Sequence, residues 1–356
     1  MAMLAQSAAV PVCLNYYLQA TNECESFRTK KSYMSKSKHS SENGSTSAHN
    51  STQAEHKKTK KAAEKATSKV AALMAPETLV VKDPPPKPNY PQYRVKPGEP
   101  ITLADIDPDT CEHYKQKKDV KEELAHQCQR LQKLQERLYA ENQRSLLIVL
   151  QSTDTGGKDG TIKHVFSGVN PQGCRVWSFK TPSTEEANHD FLWRYHQRTP
   201  QRGMIAIFNR SHYEDVLIVR VKDMVPENVW RERYHVINEF ESMLTLNNNT
   251  VIKFFLHISK DEQKERLESR LADPDKHWKF SHNDIKERLL WDKYQAAFED
   301  AINNCSTQHA PWYIVPANKK WYRNLVVART IADTLEAMNP QYPPAEEGLE
   351  DIFIPN

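Results

Sequence analysis

The residue best suited to chemistry in this chain is a lysine in a glycine-rich turn. Lys158 lies within Gly156-Gly157-Lys158-Asp159-Gly160, at the end of the polar turn that follows the apolar run at 146–150. The run is typical of a buried parallel strand, and apolar residues at helical spacing after the turn predict a helix. At such a junction, backbone N–H groups and the positive end of the helix bind phosphate, and a lysine neutralises it. The pattern therefore predicts a phosphate-binding loop.

The loop departs from the common phosphate-loop pattern at two positions. GxxxxGK[ST] requires glycine at 152 and serine or threonine at 159, whereas this chain has Ser152 and Asp159. Glycine at 152 would permit a positive φ and a close approach of the backbone to phosphate, and a side chain obstructs both. A strand-to-helix turn whose glycines serve geometry alone is the competing interpretation.

Strands and helices alternate along the rest of the chain. Further strands are predicted at 175–180, 204–208, 251–258 and 312–316, and an amphipathic helix at 115–142 precedes the loop. Ser183 and Glu186 have capping-box spacing for a helix that extends through Tyr195. Alternation of this kind predicts an α/β fold with a five-stranded parallel sheet covered by helices on both faces.

Polar segments follow three of the predicted strands. Because parallel sheets bind ligands beyond the carboxyl ends of their strands, residues 151–158, 209–215 and 259–261 should share one rim. Asn209 ends the third strand and can coordinate a metal without adding charge. Arg210 beside it can hold phosphate oxygens in pairs. Taken alone, the segment is equally consistent with a polar turn capped by Asn209.

A densely charged region at 260–304 follows the fourth strand. Its basic and acidic residues are interleaved, which is typical of a salt-bridged surface. Residues 273–280 interrupt two helical patterns, however. A helix–loop–helix flap with inward-facing arginines would exclude water and bring positive charge to a bound phosphate. We therefore predict a lid at about 262–300.

Composition restricts the classes of function. The net charge of +3 over 356 residues gives no bulk attraction to nucleic acid. No apolar stretch reaches the roughly 18 residues of a membrane span. The six cysteines show no metal-ligand spacing, which favours reduced thiols in a cytoplasmic protein. Residues 1–90 are rich in serine and lysine and then in proline, and predict a disordered extension and a stiff linker. Residues 341–356 predict a C-terminal tail.

Longer stretches of the sequence resemble the polyphosphate kinase 2 family. They are LIVLQSTDTGGKDGTIKHVFSGVNPQG, HDFLWRYH, FNRSHYEDVLIVRV, FFLHISKDEQKERL, DPDKHWKF and STQHAPWYIVPANKKWYRN. The resemblance runs in order from about 93 to 338, so the predicted domain is taken as 91–340. It implies a P-loop kinase-like α/β/α fold of three layers with a helical lid. It also implies magnesium-dependent (Mg2+) transfer of the terminal phosphoryl group of inorganic polyphosphate to a nucleotide, or the reverse.

The resemblance also implies roles for individual residues. Asp154 would hold Mg2+ or orient the acceptor phosphate, Lys158 would hold the donor–acceptor junction, and Arg210 with Arg266 or Arg270 would clamp the transferring group. The remaining loop contacts would come from Ser152, Thr153, Thr155, Gly156, Gly157, Asp159 and Gly160. A polyphosphate channel would contain Lys163, Tyr213, Lys276 and Lys279, and nucleotide contacts would come from Asn209, Glu214, Trp193 and Arg194.

Two positions refine what the resemblance implies. Asn209 with Glu214 resembles the branch that phosphorylates both AMP and ADP, so the expected partners are polyphosphate and adenine or guanine nucleotides. A homo-oligomer is also implied. Ser152 stands where the family usually has glycine, and we expect a slowed but functional enzyme. Two alternatives remain, namely a nucleotide kinase with ATP as donor and a catalytically silent polyphosphate-binding protein.

Overall fold

A five-stranded parallel sheet forms the centre of the described part of the protein. The computed structural model describes residues 93–111 and 114–355, so the extension and linker predicted at 1–90 lie outside the described residues. The strands are β1 (Ser145–Gln151), β2 (Cys174–Ser178), β3 (Ile205–Asn209), β4 (Asn249–His257) and β5 (Trp312–Pro316). They lie in the order β2-β3-β1-β4-β5. The predicted α/β fold and all five predicted strands are confirmed.

Strand β1 lies at the middle of this sheet. All seven of its residues are buried. β3 and β4 pair with it in parallel on either side, with Leu150 opposite Asn209 and Gln151 opposite Phe255. A strand covered on both faces needs a nearly continuous apolar sequence, which β1 has. The segments after β1, β3 and β4 therefore emerge at the same edge of the sheet.

Helices cover both faces of the sheet. They are α1 (Lys121–Glu141), α2 (Lys158–Val165), α3 (Thr184–Ala187), α4 (Trp193–His196), α5 (Ile218–Val221), α6 (Glu227–Leu246), α7 (Lys260–Leu271), α8 (His282–Leu289), α9 (Trp291–Cys305) and α10 (Lys320–Met338). Successive strand side chains point to opposite faces. Leu147 and Val149 therefore join one core with α6 and α9, while Leu146 and Ile148 join another with α1 and α10. Among the described helices, none is both long and apolar enough to cross a bilayer.

The helix predicted after Ser183 is shorter than expected. The capping box of Ser183 and Glu186 is present, but α3 ends at Ala187. A separate helical turn, α4, begins at Trp193. Between them the Asp190 carboxylate accepts a hydrogen bond from the Leu192 amide at 2.9 Å. Such a local bond competes with the helix and explains the interruption.

The segment predicted as a lid divides into parts that differ in burial. The 3-10 helix at Pro274–Lys279 and α8 have no buried residues. α9 instead buries Ala297, Phe298, Ala301 and Ile302 in the core. Arg266 and Leu267 of α7 are buried as well. We therefore limit the proposed lid to about residues 270–290, because a helix that supplies buried side chains cannot move without opening the packing around them.

A buried polar network connects α6 to β4 beneath the rim. Lys253 and Glu241 form an ion pair, and both side chains are fully buried. Lys253 Nζ also donates to Tyr213 Oη at 2.9 Å and to the Cys305 carbonyl at 2.7 Å. Glu241 accepts from Tyr213 Oη at 2.9 Å and lies 3.1 Å from His212 Nε2. Burial alone would raise the pKa of Glu241, but Lys253 and His212 lower it. The network thereby anchors the segment that follows β3.

Replacing Lys253 with methionine should leave the Glu241 carboxylate buried without its countercharge. Removal of one member of a buried pair costs about 3–5 kcal/mol, so the free energy of urea unfolding should fall by that amount. The double variant Lys253→Met/Glu241→Gln removes both charges and should lose less. A single variant within about 1 kcal/mol of wild type would contradict this account.

Candidate active site

The loop between β1 and α2 contains two residues in the left-handed region. Thr155 has φ 64° and Gly157 has φ 100°. Gly157 is also the N-cap of α2, which makes Lys158 the first residue of that helix. Ser152, where glycine would permit a positive φ, is not among the positive-φ residues. The backbone strain therefore falls on Thr155, because a non-glycine residue adopts this conformation uncommonly.

Ser152 instead packs against the loop and holds the lysine. A Cβ at position 156 would overlap the Ser152 side chain, so Gly156 must lack one. Lys158 Nζ donates to Ser152 Oγ at 2.9 Å and to the Ser152 carbonyl at 3.2 Å. A ligand can bind the third N–H of the ammonium group or replace one of these two bonds.

Lys158 is half-buried and surrounded by charged groups. The pKa of Lys158 is lowered to about 8, mainly by burial and also by the Arg210 charge. The nearby carboxylates of Asp154, Glu214 and Asp159 act in the opposite direction. These neighbours come from the loop after β1, from α2 and from the segment after β3. A phosphate placed beside the lysine would favour its charged form, because an opposite charge nearby always does.

The segment after β3 meets the phosphate loop directly. Arg210 Nη2 donates to Asp154 Oδ1 at 3.0 Å, and Asn209 Nδ2 donates to Asp159 Oδ1 at 2.6 Å. Burial alone would lower the pKa of Arg210, but the Glu214 and Asp154 carboxylates raise it. The structure thus brings together the loop acid, the lysine and the strand-end pair, as the shared rim predicts.

A cleft of about 690 Å³ separates the loop from the lid. Four lid residues line it, namely Arg270, Trp278, Lys279 and Asp284. The opposite wall is the loop at 154–160 with Asn209 and Arg210. Arg270 Nη1 lies 3.8 Å from Asp284 Oδ2. Trp278 and Asp284 were not predicted as site residues, because nothing in the sequence except the interruption at 273–280 indicates which lid side chains face inward.

A smaller cavity of about 100 Å³ lies on the other side of Asp154 and Arg210. Glu214 lines this cavity rather than the larger cleft. About half of the remaining wall is apolar or aromatic, namely Leu217, Ile218, Trp291, Tyr294 and Phe298, and Asn283 and Glu287 of α8 also line it. Glu214 therefore faces a partly aromatic space that is distinct from the phosphate cleft.

Arg266 does not face either cavity. Its side chain is 8 % exposed, and its guanidinium donates to the carbonyls of Thr155 at 2.9 Å and Ala317 at 2.6 Å. It also donates to the Glu262 carboxylate at 2.6 Å. The prediction that Arg266 could clamp the transferring group is wrong, because its donors are used inside the protein to hold the loop. Arg270 is the lid arginine that lines the cleft.

Tyr213 and Arg194 are also buried, and their polar groups are bonded inside the protein. Tyr213 is fully buried and bonded to Glu241, so its prediction as a residue of the polyphosphate channel is wrong. Arg194 is 7 % exposed. It donates to the Lys180 carbonyl at 2.9 Å and pairs with Glu186. Its prediction as a nucleotide contact is wrong for the same reason, since its guanidinium is already held.

Three predicted contacts lie outside both cavities. Trp193 stacks on His189 with ring centroids 3.9 Å apart. Lys163 is exposed on α2, and Lys276 pairs with Asp273 at 2.6 Å. Their assigned roles stay predictions.

Two side chains from distant elements contact the loop and were missed. Gln263 Nε2 donates to the Asp154 carbonyl at 3.1 Å, and Arg323 Nη1 donates to the Gly156 carbonyl at 3.3 Å. Neither has a local sequence signal, because both reach the loop only through the tertiary fold.

Known proteins match the part of the chain that contains the sheet and the two cavities. The model of the family described as Polyphosphate kinase 2 matches residues 114–343. A relative from Meiothermus ruber, named AMP/ADP-polyphosphate phosphotransferase, is 53% identical over 264 residues, which cover 74% of this chain and 99% of the relative. A relative from Rhodopseudomonas palustris, named ADP-polyphosphate phosphotransferase, is 44% identical, and the match covers 71% of this chain and 91% of the relative.

A solved structure agrees with these matches. The crystal structure of polyphosphate kinase 2 from Arthrobacter aurescens TC1 superposes with a TM-score of 0.70 at 44% identity. The match covers 73% of this chain and 93% of that one. The residues that the family model matches, 114–343, include the glycine-rich loop, the strand-end arginine and the proposed lid. The chain is an enzyme that belongs to the polyphosphate kinase 2 family.

Proposed function

We propose that the protein transfers the terminal phosphoryl group of inorganic polyphosphate to AMP and to ADP, reversibly and with Mg2+. One observation carries the proposal: Lys158, Arg210 and Arg270, from three separate elements, line one cleft beside a glycine-rich loop. Three convergent cations suit a ligand with closely spaced negative charges. The names of the relatives from Meiothermus ruber and Rhodopseudomonas palustris support the same substrates.

The chemistry requires positioning and charge neutralisation more than covalent catalysis. A terminal phosphate oxygen of the nucleotide attacks the end phosphorus of polyphosphate. The bond from that phosphorus to the bridging oxygen breaks, and polyphosphate leaves one unit shorter. Negative charge on the transferring group is stabilised by Lys158, Arg210 and Arg270. No protein nucleophile is needed, because the acceptor supplies the attacking oxygen.

The loop carboxylates fit a magnesium ion. Mg2+ prefers oxygen ligands and is commonly held by one or two carboxylates together with substrate phosphates. Asp154 lines the cleft and its side chain is 28% exposed, so it would hold the ion jointly with phosphate oxygens. Asp159 and the Asn209 amide lie on the same wall. When bound, the ion would neutralise charge on the phosphates.

We assign the acceptor nucleotide to the side of Glu214. The cavity there has an aromatic wall suited to a base and a carboxylate that can accept hydrogen bonds from an exocyclic amine of adenine or guanine. Its volume of about 100 Å³ is below the roughly 300–1,000 Å³ of ligand pockets. Binding therefore requires the lid to move away from the rim.

We also propose that the protein is cytoplasmic. Cys111, Cys128, Cys174 and Cys305 are free thiols within the described residues. Unpaired thiols persist in reducing compartments. The homo-oligomer stays a prediction.

Incubation of the purified protein with long-chain polyphosphate, Mg2+ and AMP or ADP distinguishes the candidate functions. Formation of ADP or ATP would support the proposal. Nucleotide phosphorylation with ATP as the only donor would favour the ATP-dependent nucleotide kinase. Polyphosphate binding without turnover would favour the catalytically silent protein.

Replacing Lys158 with alanine should lower turnover by about 10²–10³-fold, because the transferring phosphoryl group loses a cation in a cleft of restricted solvent access. The fold should be retained, and circular dichroism with urea unfolding would check it. Lys133→Ala, an exposed lysine on α1, is the matched control and should keep wild-type turnover. Full turnover in a folded Lys158→Ala protein would refute the assignment of the phosphate loop.

The proposed role of Lys158 also predicts that phosphate binding depends on pH. Because the pKa of Lys158 is about 8, its positive charge is present below that pH and is lost as the pH rises through it. The affinity for tripolyphosphate, measured by calorimetry, should therefore fall as the pH is raised through the pKa of Lys158. In Lys158→Arg the guanidinium stays charged, and the affinity should change less.

Replacing Glu214 with alanine should raise the KM for AMP and ADP by roughly 10-fold or more, because a charged hydrogen-bond partner of the base is lost. The KM for polyphosphate should stay close to wild type. Glu227→Ala removes an exposed carboxylate on α6 and serves as the control. Equal effects on both substrates would make Glu214 a structural residue.

Replacing Ser152 with glycine should tighten tripolyphosphate binding by roughly 2- to 10-fold. The variant removes the Oγ that holds Lys158, and one hydrogen bond contributes about 0.5–1.5 kcal/mol. Calorimetry and turnover would measure the change. Weaker binding would show that the hydroxyl itself contacts phosphate or metal.

A further inference from the structure

The phosphate loop is contacted from behind by an arginine of α10. Arg323 lies in the first turn of that helix and is 3 % exposed. Its Nη1 donates to the Gly156 carbonyl at 3.3 Å. Its Nε and Nη2 both donate to Asn324 Oδ1, at 3.1 and 2.8 Å. The planar group is therefore fixed on both sides, by its neighbour in α10 and by the loop.

The loop packs onto this guanidinium so closely that position 157 has no room for a side chain. A Cβ at Gly157 would overlap Nη1 of Arg323 and lie 3.0 Å from its Cζ. At Gly160 a Cβ would lie 3.4 Å from Nη2. The requirement for glycine at 157 thus has a steric cause in addition to its φ of 100°.

The contact fixes the direction of one loop amide. In a trans peptide the C=O and the following N–H point in opposite directions. Because the Gly156 carbonyl points to Arg323, the Gly157 N–H points to the other side of the loop. The cleft is lined by Gly156 and Gly157 and not by Arg323, so the arginine is behind the loop and the amide faces the cleft.

The charge of Arg323 has no carboxylate partner among the described residues. Its hydrogen bonds go to amide and carbonyl oxygens. Burial, together with the nearby Arg266 charge, lowers the pKa of Arg323 to about 9. A buried charge without a countercharge is costly, and an anion on the other side of the loop would offset that cost.

We propose that Arg323 is a positioning residue for phosphate binding, which directs the Gly157 amide to the cleft and adds an uncompensated positive charge behind the loop. The inference rests on the proposed function only for the identity of the anion, polyphosphate. Arg323 does not touch the substrate. It acts through the loop backbone.

Three variants test this role. Arg323→Met keeps the length of the side chain but removes the charge and the donors, and Arg323→Lys keeps the charge without the planar fork. Arg130→Met is the matched control, because Arg130 also joins α10 to the rest of the fold, through Asp333 and Glu336, and lies away from the loop. Each variant is measured by urea unfolding, by hydrogen exchange of peptides covering 152–160, and by calorimetric binding of tripolyphosphate.

Arg323→Met should accelerate exchange in the loop and lower tripolyphosphate affinity at least 10-fold, which corresponds to about 1.4 kcal/mol. Arg323→Lys should recover part of the affinity, since the charge remains. Arg130→Met should leave loop exchange and affinity at wild-type values even where it lowers stability. The inference is overturned if Arg323→Met leaves loop exchange unchanged, or if Arg130→Met reproduces both losses. A wild-type protein that binds no tripolyphosphate would contradict the proposed function, while loop exchange would still test the role of Arg323.

Discussion

The parallel pairing of β1 with β3 and β4 is the constraint on which the rest of the site depends. Since all three strands run in the same direction, the segments after them must meet at one edge. The register places Leu150 opposite Asn209, and the next residue, Arg210, is then close enough to bond Asp154. A slip of one residue would turn alternate side chains to the other face and separate this pair.

Three cations of the cleft already have a protein partner. Lys158 is bonded to Ser152, Arg210 to Asp154, and Arg270 to the Lys279 carbonyl at 3.3 Å. These partners are hydroxyl, carbonyl or partly exposed carboxylate oxygens, which a phosphate can replace as acceptors. The buried arginines differ, because Arg266 keeps its donors on backbone carbonyls and Glu262. The cations of the cleft can therefore exchange a protein acceptor for a phosphate, while the buried Arg266 keeps its bonds to the loop.

The strands, the glycine-rich loop and the shared rim could be predicted because their signals are local. A continuous apolar run and a glycine turn describe β1 and its loop without any tertiary information. The sequence has no local signal that shows which charged or polar side chains are buried. Tyr213 and Arg266 look like exposed ligand contacts in the sequence, yet one belongs to the Lys253–Glu241 network and the other holds Thr155. The contact between α10 and the loop required the fold itself.

The steric contact between Gly157 and Arg323 also limits how relatives of this chain can diverge. A side chain at 157 would overlap the guanidinium, so a larger residue there requires the arginine to shift and to give up its present contacts. Loss of the arginine would relax that limit, although the positive φ would still favour glycine. The two positions are far apart in the chain but are sterically coupled. We expect Gly157 and Arg323 to occur together in relatives. A substitution at 157 should follow a substitution at 323 and not precede it.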